Sequence, residues 1–246
     1  MRVPRQSRLA RRSGTDLTRR GLMRGGLGLA AAAAFPRDAG AAGEAISPVT
    51  QRLSAYMSEA KSRAIPDAVV QETKYHILDT LAAMISGSQL PPGRQALRFA
   101  HAYGGEKVAT IVASDTLGGP LEAAIVNGAL AQSDETDDNY SAGGAHPGCA
   151  VVPAALALAE TFGIDGTHFL RAVTLGYDIG MRAMKAVLGR TVLKDTHNVV
   201  GTFGASAAGG CVAGLNAEQM RWLLDYAAQQ AGGDAGTPQS RRYVHW

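Results

Sequence analysis

One short run, Ala109-Thr110-Ile111-Val112-Ala113, is the only stretch of this chain that reads convincingly as a strand. A chain with so little strand cannot build a sheet core, so its apolar residues have to be buried by helices packing on helices. The residue content agrees: alanine and glycine dominate, aromatics make up 6%, and 46% hydrophobic against 18% charged residues is the balance of a soluble protein with a real core. The expected fold class is all-α, a helical bundle-like domain, and 246 residues allow one large domain or two small ones.

Helical spacing places the elements. Ser47-Pro48 opens a first helix with Val49, Leu53 and Met57 on one face. Pro66 starts a second that keeps its period through Val70, Ile77, Leu78, Leu81 and Ile85 to Gly87. Residues 88–92 read as a loop, and residues 95–103 as a short helix closed by Gly104-Gly105. Gly119-Pro120 begins a helix expected to turn Leu121, Ile125, Ala129 and Leu130 inward. Further helices are expected over 149–161, 166–187 and 217–231, the last with Met220, Leu223, Leu224 and Ala227 as a buried stripe. Residues 201–214 are almost all small, which permits two helix backbones to approach closely.

The formal charge of +3 misleads. Arg2, Arg5, Arg8, Arg11, Arg12, Arg19, Arg20 and Arg24 crowd the first residues, and without them the remainder is net acidic, so no nucleic-acid partner is expected. Thr18-Arg19-Arg20-Gly21-Leu22-Met23-Arg24 has the order of a twin-arginine motif. An apolar stretch of about eleven residues follows, too short for a span of roughly twenty. Ala39-Gly40-Ala41 offers a small-residue cleavage site. Residues 1–45 therefore read as a twin-arginine signal and spacer, with the twin-arginine translocase as partner and the periplasm or exterior as destination; a disordered basic tail with an alanine-rich helix is the competing reading. Cys149 and Cys211 have no zinc-like spacing and read as small buried residues.

Two constellations could carry chemistry. The first runs from Asn127-Gly128 through Asp134, Glu135, Asp137 and Asp138 to His146-Pro147. Carboxylates crowded at a helix C-terminus repel one another and face the negative end of its dipole, so a substrate, metal or basic side chain should compensate them; the plain alternative is a solvated acidic turn. His146 stands at a helix entrance, where unpaired N–H groups can hold an anion and an imidazole can exchange a proton near neutral pH. The second is Lys194-Asp195-Thr196-His197 leading into Gly201-Thr202-Phe203-Gly204, again a histidine ahead of a glycine-rich helix start. His76, His101 and His168 have no converging partners in sequence and read as surface or packing residues. Nucleotide-binding, nucleophile-elbow and zincin motifs are absent.

Taken together these segments resemble the MmgE/PrpD family of 2-methylcitrate dehydratases, cis-aconitate decarboxylases and iminodisuccinate epimerases. His76-Ile77-Leu78-Asp79-Thr80-Leu81-Ala82 is similar to the family's early helix, and Asn127-Gly128-Ala129-Leu130-Ala131 to its Asn-Gly helix. Glu135-Thr136-Asp137-Asp138 resembles its D-x-D-D motif, His146-Pro147 its His-Pro, and Val200-Gly201-Thr202-Phe203-Gly204-Ala205 the helix start after its second active-site histidine. The likeness covers nearly all of 47–232.

The resemblance implies a helical domain over 46–232 joined in the family to an α+β lid, usually as a homodimer, with no metal and no organic cofactor. It implies elimination, decarboxylation or epimerisation of a small polycarboxylate by proton transfer next to a carboxylate. Carried over, His146, His197 and Glu135 are the catalytic candidates, and Asp137, Asp138 and Asn139 the substrate-binding ones. Glutamate replaces the first aspartate of the motif, the loop before His146 is longer than in the decarboxylases, a threonine of theirs stands at Asn139, and His197 sits closer to its glycine. Residues 233–246 read as a divergent tail in which the family's active-site lysine has no counterpart, so the expectation is a chain without the lid. A truncated form that only binds acids or dimerises is the alternative. A divalent-metal site of Glu135, Asp137, Asp138 and His146 is the third reading.

Overall fold

The computed structural model describes residues 46–141, 144–188 and 197–231. The arginine-rich first 45 residues, the Lys194-Asp195 segment, residues 233–246 and the His197 side chain lie outside the described residues. Eight helices and one two-stranded antiparallel ribbon make up the described fold, and none of these helices is long and apolar enough to cross a membrane.

Helix α1 (Pro48–Glu59) begins where the Ser47 hydroxyl accepts from the Val49 N–H and Pro48 takes the first helical position. It buries Met57 but leaves Val49 exposed, because the helix entrance overhangs the core. Helix α2 (Asp67–Gly87) follows Pro66 and ends at the glycine expected to close it. Helix α3 (Pro91–Tyr103) starts earlier than the sequence reading placed it. Pro91 and Pro92 fill its first turn, where a missing N–H leaves no bond unmade, so a pair read as loop is in fact helix entrance.

Strand β1 (Ala109–Thr110) pairs with β2 (Leu117–Gly118), Ala109 opposite Gly118. The expected five-residue strand shrinks to two because the next backbone groups are taken elsewhere: the Val112 N–H donates to the Asn127 Oδ1 at 2.9 Å, and the Asn127 Nδ2 donates to the Thr110 carbonyl at 2.8 Å. Asn127 is fully buried on α4 (Pro120–Gln132), so the Asn-Gly pair of the first constellation pins the ribbon to the helix. The inward face of α4 also differs from expectation. Ala123, Val126, Asn127, Leu130 and Ala131 are buried, while Leu121, Ile125 and Ala129 are exposed. The helix is apolar nearly all round, so spacing alone did not mark the side that α2 and α5 cover.

Helix α5 (Gly148–Phe162) is the central element, packed against α4, α6 (Gly166–Val187) and α7 (His197–Val212). Val151, Val152, Ala155 and Ala157 on it are wholly buried. Pro153 inside it has no N–H to give the Cys149 carbonyl, and that carbonyl lies 3.0 Å from where a Cβ on Gly128 of α4 would stand. Helices α6 and α7 meet along a glycine seam. A Cβ on Gly176 would lie 2.9 Å from the Gly204 carbonyl oxygen, and one on Gly204 would lie 2.9 Å from that of Gly176. The run of small residues thus permits the close approach expected of it. Helix α8 (Ala217–Gln230), opened by an Asn216/Gln219 capping box, buries Met220 and Ala227 against α1 and α7.

Candidate active site

The acidic run after α4 divides in two. Asp134 Oδ1 accepts from the Thr136 N–H at 3.3 Å and the Thr136 hydroxyl at 2.6 Å, closing a tight turn. Glu135 sits at its corner with φ +55°, exposed. That left-handed residue reverses the chain and sends Asp137 and Asp138 inward. Glu135, expected with Asp138 to position the histidines as a catalytic candidate, points to solvent here, and the carboxylate facing His146 is Asp137. Asn139 is exposed as well.

Asp137, with no exposed side-chain surface, faces His146, whose Nδ1 lies 3.3 Å from its Oδ1. The His146 ring keeps 18% of its side-chain surface exposed, and the Cys149 thiol donates to the His146 carbonyl at 3.2 Å. Burial lifts the Asp137 carboxyl above its ordinary range, partly offset by the facing imidazole. The same burial, with Asp137 next to it, pushes the Cys149 thiol up, so it stays protonated. Cys211 is buried with its thiol pushed up to about 11, and neither cysteine is in a disulfide.

Asp138 is a hub. Its Oδ1 accepts from the Gly148 N–H at 2.8 Å, and its Oδ2 accepts from the Tyr177 hydroxyl at 2.8 Å and faces the His76 Nδ1 at 3.0 Å. The carboxylates repelled by the end of α4 are therefore received by the N-terminus of α5, whose dipole and first N–H groups favour negative charge. Gly148 has to be glycine: a Cβ there would lie 2.5 Å from both Asp138 Oδ1 and Thr80 Oγ1, and 3.0 Å from the Tyr177 hydroxyl. The hydrogen bond to Asp138 raises the His76 imidazole above its ordinary value against the lowering from partial burial, with Glu72 and Asp79 adding to the rise. Burial first, then Asp138's charge, push the Tyr177 hydroxyl up.

His76, read from sequence as a surface or packing residue, thus has a partner 62 positions away, and Tyr177 was not singled out at all. Nothing local announces either, since the contact is made by α2, α6 and the acidic turn together. His168 does pack, with its Nε2 2.8 Å from the Cys211 carbonyl. His197 is the first residue of α7, one turn ahead of Val200, which packs on Ala145 beside His146. The metal reading does not assemble: Asp137 turns to His146, Asp138 to His76 and Tyr177, and Glu135 outward. Among the described residues no group of three or more histidine, cysteine or acidic side chains is placed to hold an ion.

Because burial raises the Asp137 carboxyl, ionising it works against the fold. Stability on its account is highest below the unfolded carboxyl value and falls as pH rises through the raised one. Asp137→Asn is therefore expected to unfold about 2–4 °C higher than the parent at pH 7, with the gap closing toward pH 3. A variant less stable by the same margin at both pH values would contradict this.

The fold and the site together define an all-helical domain that holds an oriented histidine–carboxylate pair at a helix entrance. Residues 51–241 match the model of the MmgE/PrpD N-terminal domain. The chain belongs to the MmgE/PrpD family. It is 32% identical over 195 residues to a cis-aconitate decarboxylase-like protein of Aspergillus oryzae, a match covering 75% of this chain and 40% of that protein. It is 28% identical to the cis-aconitate decarboxylase of Aspergillus terreus and 29% to that of Homo sapiens, each match covering 76% of this chain and 40% of the relative. The chain thus spans about two fifths of the length of these relatives.

Proposed function

We propose that this domain supplies the acid–base part of a lyase or isomerase site for a small polycarboxylate, with proton transfer at a carbon next to a carboxylate. The observation that carries it is the Asp137–His146 pair: a buried carboxylate 3.3 Å from an imidazole nitrogen at a helix entrance, the juxtaposition a general acid–base site is built on. His146 is the group that exchanges the proton. His197, from the first turn of α7, is the second imidazole. Asp138 acts as a positioning residue, because its oxygens are already engaged and a bare carboxylate would repel an anionic substrate. The relatives' names point to decarboxylation of cis-aconitate; 2-methylcitrate and iminodisuccinate are the other substrates of the class. Twin-arginine export, supported by Thr18-Arg19-Arg20 and the apolar stretch after it, and pairing as a homodimer belong to the same proposal.

The second reading is acid binding without turnover. Both are tested by incubating the purified chain in D2O with cis-aconitate, 2-methylcitrate or iminodisuccinate and following carbon-bound deuterium and product by NMR. Exchange or turnover is expected, falling about a hundredfold in His146→Gln. Saturable binding without exchange supports the second reading, and equal rates in parent and variant remove His146 from the mechanism.

A further inference from the structure

A cavity of about 530 Å³ lies between the end of α1, the connection to α2, the first half of α2 and the middle of α6. Neither Asp137 nor His146 lines it, and it meets the site described above only at His76 and Tyr177, the two partners of Asp138. Its walls are largely apolar, with Ala64, Ile65, Val69 and Leu175 among them, and His76 and Tyr177 stand together on its lining. The His76 ring lies 4.8 Å from that of Tyr177, centroid to centroid, and keeps 43% of its side-chain surface exposed. With Nδ1 turned to Asp138, its Nε2 is the nitrogen left to meet a ligand.

The fixed charges on the lining balance, which leaves His76 to set the preference. Asp178 is held by Arg182 at 2.8 and 2.9 Å and Arg63 by Glu59, so Glu72 stands against Arg171. Arg171 donates to the carbonyls of Arg63 and Lys61, at 2.9 and 3.0 Å, and so fixes the connection that forms one wall. A histidine backed by a carboxylate, on an apolar wall within the size range of small-molecule sites, suits one acidic group on a hydrocarbon body. A compact polyacid would leave its further charges against Ile65, Val69 and Leu175 without partners.

We propose that this cavity binds a monocarboxylate with a hydrocarbon body, the carboxylate held by His76 and the chain laid along Ile65, Val69 and Leu175. Octanoate is the probe, with octylamine as the matched cation, each titrated into the full chain by calorimetry and by NMR of the histidine ring nitrogens. Saturable octanoate binding that moves the His76 signals is expected, at least tenfold tighter than octylamine. Asp138, Glu72 and Asp79 hold the proton on His76, so binding should weaken as pH rises from 6 to 9 and the imidazolium is lost. His76→Gln should weaken it about tenfold, and Val69→Trp, which fills the cavity, should abolish it. Equal affinity for octylamine, unmoved His76 signals, displacement by equimolar citrate, or no octanoate binding because another part of the chain covers the cavity would each overturn the proposal. The two-probe comparison and the pH series use the unaltered chain, so they decide the matter even if a variant fails to fold.

Discussion

Asp138→Ala is expected to lower stability by about 3 kcal/mol, a fall in Tm of roughly 6–12 °C for a domain of this size. The alanine leaves the Gly148 N–H and the Tyr177 hydroxyl without the acceptor they share, and each buried group deprived of its partner costs about 1–3 kcal/mol. Tyr177→Phe, which removes one of these bonds and its donor together, should cost only about 1 kcal/mol. His76 gives the effect a pH signature. Its raised value means that its partnership with Asp138 stabilises fully below the unfolded imidazole value and is lost as pH rises through the folded one, so the Asp138→Ala deficit should be larger at pH 6 than at pH 9. The ring is part-exposed, so that increment is the smaller share. Thermal unfolding of the three proteins at both pH values is the measurement, and a deficit under 1 kcal/mol for Asp138→Ala would show that water replaces the hub.

Gly87→Ala should be comparably damaging, for a reason of shape alone. A Cβ at Gly87 would stand 1.9 Å from the Leu130 carbonyl oxygen and 2.9 Å from the Ser133 Cβ, so α2 has to separate from α4. Overpacking against backbone costs about 3 kcal/mol here, at the upper end of its usual range. Gly166, at the start of α6, has nothing within 4 Å of its Cβ position, and there Gly166→Ala should be neutral or slightly stabilising. Urea denaturation of the pair separates the two cases: equal and small effects would mean that α2 and α4 do not meet as closely as described.

These positions show what could be read from the residues. Helix boundaries were legible where capping chemistry is local. Residues 166–187 form α6 as expected, with Asp165 accepting from the His168 N–H and Gly163 closing the helix before it at φ +64°. Faces were legible only where apolar and polar residues alternate at helical period, as along α8; on α4, almost uniformly apolar, they were not. The site followed the same logic. That His146 stands at a helix entrance next to carboxylates could be seen in the motif, but which carboxylate turns inward depends on one left-handed residue, Glu135, a conformation that side-chain type does not announce. His76 and Tyr177 were hidden because their link to Asp138 exists only once α2 and α6 have packed.

The glycine seam between α6 and α7 has a mechanical outcome. Two helices touching backbone to backbone have no long side chains between them to slide or re-pack, so they displace as one body. Tyr177 is borne by the first of this pair and Val200, with His197 a turn ahead of it, by the second. A push felt at one helix is therefore delivered to the other, and the spacing between the Asp138 hub and the second histidine's helix is set by this backbone-to-backbone joint.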